Sequence, residues 1–450
     1  MATRITVRRD RRENFVAAGV VPASGEPIYE TDTKLLRVGD GRTPAADLDA
    51  AAFVDSATNL LGPNVMAAIR ASLVGSILDL PGGSVPGAPG TRRAQYEVSG
   101  GGEGTWANTL SDTFQRVPLI LPVQTTRWRL RIANMDPTNN KQAGAIAFNG
   151  VWVGAATLDA IGSPTGAFQS VPTAAIGAFT SPADGSSTVT GWVTSPSAQI
   201  APNTITLLSM GWTKANSTTI VNGSGSMFYN SGASGAGSQN AGTIVAQNIA
   251  FGIMLEYEFV GSKRSGLAVG DSLTEGKGAG FGFQTWHQVL SRRTKTPIAA
   301  TGAFGRSAYQ FQSPTIEAWQ RIINAGLTLD FAVVQLGTND IAAGTDLPTM
   351  QASIGNIVGI LRTQLGIREV YFNNIAPRGD FSSAQETQRQ SYNTWLQGQP
   401  FGIAGVFDVS SRLESAVGAA SLRADSDLGD HVHWTTTGNW RAAQAVNPQR

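Results

Sequence analysis

Residues 267–278 read LAVGDSLTEGKG, and the reading of this stretch decides the fold of the carboxy-terminal half. Three apolar residues run directly into Gly270-Asp271-Ser272. A short, continuous apolar run closed by such a turn is the pattern of a strand buried on both faces where it hands over to a helix. The run begins as SGLAVG (265–270), and runs of the same kind recur as FAVVQLG (331–337), EVYFNNIAP (369–377) and AGVFDV (404–409). Helical stretches alternate with them. In TMQASIGNIVGILRTQLG (349–366), Met350, Ile354, Ile357, Val358, Leu361 and Leu365 form one stripe at helical spacing. SPTIEAWQRIINAG (313–326) behaves likewise, with Pro314 at its start and Gly326 at its end. This alternation predicts a mostly parallel sheet with right-handed crossovers, covered by helices on both faces.

Upstream, between residues 96 and 261, the period switches to two. In RWRLRIA (127–133), Trp128, Leu130 and Ile132 share one face while Arg127, Arg129 and Arg131 share the other. IMLEYEF (253–259), TITLLSMGW (204–212) and GVWVGAATL (150–158) read as further strands, and residues 222–242 as a long polar loop. Many short strands with glycine turns predict an antiparallel β-sandwich. Its Trp128, Trp152, Trp192 and Trp212 could stack on sugars, although alternating tryptophans in strands also build cores. Residues 51–95 hold a short helical pattern, NVMAAIRASLVGSILDL, and then a Gly/Pro-rich linker, PGGSVPGAPG. In residues 1–50, Ile28-Tyr29 and residues 35–38 read as short strands around a Thr31-Asp32-Thr33 turn, and Gly39-Asp40-Gly41 as a further turn. The expected division is therefore 1–50, 51–95, 96–261 and 262–450.

Composition narrows the function. The chain has 450 residues, net charge +1, 14% charged residues, 52 glycines and no cysteine. So even a charge balance argues against nucleic-acid binding, and the RRDRR cluster at 8–12 reads as a solvated face. No apolar window approaches the length of a membrane helix, and the opening residues lack the apolar stretch of a signal peptide, so neither membrane insertion nor general secretory export is expected. Without cysteine there are no disulfides or thiolate metal sites.

Ligands of a parallel α/β sheet gather outside the carboxyl ends of its strands. Three polar clusters fall there: Gly270-Asp271-Ser272, Gly337-Thr338-Asn339-Asp340 and Asp430-His431-Val432-His433. A serine hydroxyl needs a base to take its proton, and only His287, His431 and His433 exist to serve. Asp430 stands three residues before His433, close enough on a tight turn to fix the imidazole tautomer. The Ser272 backbone N–H, a glycine N–H and the Asn339 amide are natural donors to a developing oxyanion. Each signal alone has a plainer reading. Ser272 could be a turn residue, Asn339 a helix cap, and Asp430 with His433 a capping pair. His431 reads as a surface or pocket-rim residue, His287 as a structural histidine of the helix QTWHQVLSRR, and Asp425 and Asp427 as loop or cap residues. Asp271 is expected to anchor the turn.

Taken in order, these signals resemble the blocks of the SGNH hydrolases, the GDSL-type esterase and lipase superfamily, over roughly residue 263 to the carboxy terminus. AVGDSLTEG resembles the first block, TGAFGRSAY (301–309) the second, QLGTND the third and DHVHWTTTGN the last. The resemblance implies a three-layer, flavodoxin-like α/β domain with Ser272 as nucleophile, His433 as base and Asp430 as orienting acid. It places the oxyanion hole on the Ser272 N–H, Gly305 and Asn339, with no cofactor and no metal. Gly302 competes with Gly305 for the second block, and Trp434 stands where the family often has proline, a change bearing on local geometry and the pocket wall.

Residues 4–48 resemble the segment that opens many bacteriophage tail-fibre and tail-spike proteins, with paired arginines, a Gly-Glu turn, Glu-Thr-Asp-Thr and Gly-Asp-Gly followed by Thr-Pro. That resemblance implies a small β-rich attachment segment, phage baseplate or tail proteins as partners, a homotrimer, and a virion-tail location after assembly in the host cytoplasm. The combined expectation is a tail-borne esterase that deacetylates a bacterial surface polysaccharide. Its rivals are a non-catalytic receptor-binding fibre on a degenerate hydrolase fold and a free bacterial lipase or esterase.

Overall fold

The apolar runs of the carboxy-terminal half form five strands, β1 (Gly266–Gly270), β2 (Ile298–Gly302), β3 (Phe331–Gln335), β4 (Glu369–Asn373) and β5 (Gly405–Phe407). All pairings are parallel, in the order β2-β1-β3-β4-β5. The helices are α1 (Ser272–Glu275), α2 (Trp286–Thr294), α3 (Ala308–Phe311), α4 (Glu317–Ala325), α5 (Thr338–Ala342), α6 (Leu347–Thr363), α7 (Ser383–Gln397), α8 (Ser410–Leu413) and α9 (Thr436–Ala445). Alternate residues of one strand feed opposite layers. Leu267 and Val269 of β1 pack with Trp319, Ile322, Ile354 and Leu361, whereas Ala268 packs with Trp286, Leu290, Ala442 and Ala443. The result is a three-layer α/β domain. Strand order reverses at β1, so the ligand crevice of such a sheet lies at the end of β1.

This computed structural model describes residues 8–23, 26–32, 35–38, 42–45, 48, 52–53, 90–106, 111–240, 247–261 and 263–448. The chain forms two units, Met1–Gly87 and Ala88–Arg450. In the first, strands Arg8–Asp10, Pro27–Glu30, Leu35–Val38 and Ala52–Phe53 make one sheet over a small core of Phe15, Ile28 and Ala45. A buried ion pair, Arg37 Nε to Glu30 Oε1 at 2.8 Å, joins two of its strands. The expected turn at residues 39–41, the helix at 64–80 and the linker at 81–89 lie outside the described residues; Gly90 opens a strand.

The second unit begins with a sandwich. A nine-stranded sheet faces a four-stranded one made of Thr188–Val189, Arg127–Ala133, Gly252–Gly261 and Gly90–Ser99, among the described residues. Trp128, Leu130 and Ile132 enter the shared core with Phe148, Val151 and Trp212. On the opposite face the arginines meet glutamates directly across the antiparallel register, Arg127 with Glu258 and Arg129 with Glu256, each at 2.7 Å. Cross-strand pairing of opposite charges thus uses the outward half of the period-two pattern. Trp128 and Trp212 are core residues, while Trp152 and Trp192 are half-buried. Residues 222–231, expected as loop, belong to the strand Ile220–Ser231, and a short helical turn follows at Ala233–Gly237. Small polar residues defeat pattern reading there because the strand's burial comes from its neighbours. Helix α4 begins at Glu317 rather than at Pro314, and Gly326 ends it in the left-handed region as expected.

The sandwich lies against the α/β domain within this unit. Gly90–Ser99 sends Arg92 to Asp330 at 2.8 Å and Glu97 to the buried Arg321 at 3.4 Å; Arg321 also donates to Thr301 Oγ1 at 2.8 Å. Among the described residues no helix is long and apolar enough to cross a membrane.

Candidate active site

Ser272 is the first residue of α1, directly after β1, and is buried. Asp271 caps this helix: its carboxylate accepts the Leu273 N–H at 3.0 Å, which fixes the turn that presents the serine. Burial pushes the Asp271 carboxyl up to about 7, with Asp340 adding to the rise and Arg378 opposing it. Asp271 therefore anchors the turn, as expected.

The loop before α9 brings the base. Ser272 Oγ lies 2.8 Å from His433 Nε2, across 161 residues of chain. His433 Nδ1 lies 2.6 Å from Asp430 Oδ2. The other Asp430 oxygen accepts the backbone N–H groups of Val432 at 3.0 Å and His433 at 2.9 Å. Partial burial would raise the Asp430 carboxyl, but the His433 N–H, the His433 ring and the Val432 N–H outweigh it and hold it down to about 2. An ionised carboxylate on Nδ1–H leaves Nε2 as the lone-pair nitrogen facing the serine, the arrangement a general base requires.

The other histidines separate cleanly. His287 is buried in α2, its Nε2–H donates to the Thr274 carbonyl at 3.0 Å, and burial lowers it to about 4. It supports the backbone of α1 and carries no charge. His431 is exposed, sits at φ +61°, and pairs with Asp427 at 2.6 Å. It repeats the Asp–His contact without a serine. Asp425 binds Arg441 at 2.5 Å. Trp434 is fully buried in the core with Trp286 and Leu290, so it forms none of the pocket wall; the residue that replaces proline is a packing residue.

Of the two glycines competing for the second block, Gly302 ends β2 and its N–H points to Glu97 Oε2 at 3.3 Å. A Cβ there would stand 2.3 Å from the Glu275 backbone nitrogen, so glycine is required for α1 to approach β2. Gly305 sits at φ +69° with open space where a Cβ would be, and its N–H meets no hydrogen-bond partner among the described residues. The Asn339 amide donates to the Arg306 carbonyl at 3.0 Å, and Arg378 lies 3.5 Å from Asn339 Oδ1. One N–H and the oxygen of Asn339 are thus held, and its second N–H makes no hydrogen bond among the described residues.

Two participants escaped the sequence reading. Phe304 stacks on the His433 ring at 5.7 Å and 15°. Glu275, the last residue of α1, accepts the Phe304 N–H at 2.6 Å, the Gly102 N–H at 3.0 Å and the Ser224 N–H at 3.3 Å. Burial and then the neighbouring Glu97 charge push its carboxyl up to about 8, against the Gly102 bond. Glu275 thus ties the nucleophile's helix to the segment carrying Gly305 and to the sandwich. Only the fold reveals this, since all three donors are backbone groups remote in sequence.

A cavity of about 270 Å³ opens beside this centre, lined by Phe304, Gly305 and Arg306 and by sandwich residues including Glu103, Asp136 and Asn140. A larger one, about 760 Å³ between Arg293, Asp408, Arg412 and Gln444, touches none of Ser272, His433 and Asp430.

Residues 268–441 match the GDSL-like Lipase/Acylhydrolase family model, and residues 5–43 match the Major tropism determinant N-terminal domain. The carboxy-terminal region is a GDSL-like lipase/acylhydrolase domain. No curated protein matches the chain. Among solved structures, an active-site mutant of a family two carbohydrate esterase from Clostridium thermocellum is similar at 12% identity, over 80% of this chain and 96% of that one, with a TM-score of 0.35. The family two carbohydrate esterase from Cellvibrio japonicus is similar at 10% identity over 79% and 97%, TM-score 0.34. A carbohydrate acetylesterase from Sinorhizobium meliloti is similar at 20% identity over 41% and 96%, TM-score 0.30.

Proposed function

We propose that this chain is a phage tail-associated serine esterase that removes O-acetyl groups from a bacterial surface polysaccharide by a Ser-His-Asp acyl-enzyme mechanism. The observation that carries the reading is the continuous contact from Ser272 Oγ through His433 to Asp430, at 2.8 and 2.6 Å. Ser272 Oγ attacks the ester carbonyl as its proton passes to His433 Nε2. The negative oxygen of the tetrahedral intermediate is met by the Ser272 N–H, the Gly305 N–H and the Asn339 amide. On collapse, the bond from the acyl carbon to the sugar oxygen breaks, His433 gives its proton to that oxygen so that the sugar leaves as an alcohol, and acetyl stays on Ser272. Water, deprotonated by the same imidazole, then releases acetate and restores the serine. Acid–base catalysis of this kind supplies about 10²–10⁴ in rate, and each oxyanion donor about 10²–10³.

The match over residues 5–43 supports a virion location. In such a setting the attachment segment binds baseplate or tail proteins, the chain assembles as a homotrimer, and the esterase meets host glycans during adsorption. Acetate release from purified host surface polysaccharide tests the reading, with wild type against Ser272→Ala. Release by wild type and a loss of at least a thousandfold in the variant are expected; equal rates remove the enzyme. Light scattering tests the trimer, and a monomer at micromolar concentration contradicts it.

A further inference from the structure

The cavity of about 270 Å³ beside Gly305 is composite. One wall is the segment after β2, residues 304–306; the other is the sandwich, with Glu103 and Asp136. That size falls just below the usual range of small-molecule sites, roughly 300–1,000 Å³, and suits one ring-sized group rather than a long chain.

Its walls are fixed by contacts that also hold the catalytic groups. Glu103 is ion-paired with Lys277 and accepts from Ser224 Oγ at 2.9 Å. Lys277 lies over the face of Phe304, 5.7 Å from its centroid, and the same ring stacks on His433. Arg306 binds Asp136 at 2.8 Å, while its carbonyl accepts from Asn339. Close approach of the two walls depends on the run Gly100-Gly101-Gly102: a Cβ on Gly100 would stand 2.6 Å from the Gly302 carbonyl oxygen.

A carboxylate has about four acceptor positions, and Glu103 uses two on Lys277 and Ser224, leaving two for a ligand. Arg306 and Asp136 add a charged pair that joins the two walls. Such walls recognise a polyhydroxylated ring and not an acyl tail.

We propose that this composite cavity is the alcohol-side subsite of the esterase. The sandwich then acts as part of the active site by holding the sugar ring that bears the ester, with Glu103 as the specificity-determining acceptor of its hydroxyls. The inference rests on Ser272 being the nucleophile.

The test compares kcat/KM for 6-O-acetylglucose, whose other ring hydroxyls are free, with kcat/KM for p-nitrophenyl acetate, whose leaving group has no sugar hydroxyls. It uses the full chain, Glu103→Gln, and Thr105→Trp, which fills the cavity from an exposed position. The expected result is a fall of about tenfold or more in the sugar-to-phenyl ratio in both variants, chiefly through KM on the sugar ester. A ratio unchanged within twofold, or raised, overturns the subsite; so does a wild type active on p-nitrophenyl acetate alone. A wild type inactive on both esters removes the esterase reading itself, and the subsite with it. Where Glu103→Gln does not fold, Thr105→Trp decides.

Discussion

Replacing Asp430 by Asn isolates the orienting role from the fold. In the native site the carboxylate accepts the His433 Nδ1–H at 2.6 Å and two backbone N–H groups at 2.9 and 3.0 Å. Asparagine keeps the backbone contacts through its oxygen, so the loop survives. Its amide nitrogen then faces Nδ1 as a donor, which forces the imidazole proton onto Nε2. That nitrogen, 2.8 Å from Ser272 Oγ, can no longer accept the hydroxyl proton. In serine proteases the equivalent change costs about 10⁴ in kcat, or about 5.4 kcal/mol of transition-state stabilisation. Here the Asp430 side chain is 44% exposed, and water can partly replace it. The expected loss is therefore about 10²–10⁴ in kcat, with KM little changed. Initial rates on p-nitrophenyl acetate with a matched thermal melt measure it. In the double variant with Ser272→Ala the losses should not add, because the groups act as one unit. A loss under tenfold with an intact fold refutes the assignment of Asp430.

Three further outcomes follow from the geometry. Buried carboxyls whose folded pKa is raised bind protons more tightly when folded, so their contribution to stability is greatest at acid pH and is lost as pH rises through the folded value. For Glu275, raised from 4.5 to about 8, that window extends beyond those of Glu97 at about 6 and Asp271 at about 7. Between pH 7 and 8 denaturant melts should show wild type losing up to about 1.4 kcal/mol per pH unit and Glu275→Gln losing much less; parallel curves contradict this. Asp427→Asn should leave kcat/KM within threefold, because its partner His431 reaches no serine; a hundredfold loss would mean the wrong Asp–His pair was chosen. Gly302→Ala forces a methyl to within 2.3 Å of the Glu275 backbone, so a destabilisation of about 1–3 kcal/mol and a kcat loss of at least tenfold are expected, and an unchanged melt would show that α1 can yield.

The parts of this molecule that could be read from sequence are those with strong local signals. Leu267, Ala268 and Val269 announce a strand buried on both faces, and the Asp430–His433 spacing announces a carboxylate within reach of an imidazole. The alternation of Trp128, Leu130 and Ile132 with Arg127, Arg129 and Arg131 gave both the core face and the charged face of one strand. What stayed hidden depends on distant chain segments meeting. Nothing local marks Glu275 as the acceptor for three backbone amides, or Phe304 as the ring against His433. Strand Ile220–Ser231 was hidden for a related reason: glycine, serine and asparagine form no apolar pattern, and pairing with Asp112–Leu119 and Gln247–Ala250 makes the strand. Trp434 misled in the other direction, since its position beside His433 suggested a pocket wall while its bulk is spent in the core.

The most direct measurement on the Ser272–His433 pairing is covalent trapping with a fluorophosphonate, followed by peptide mass mapping. One adduct is expected, on Ser272, with its rate of formation falling at least a hundredfold in His433→Ala. An adduct at another residue, or labelling of Ser272 at an unchanged rate without the imidazole, would contradict the assignment.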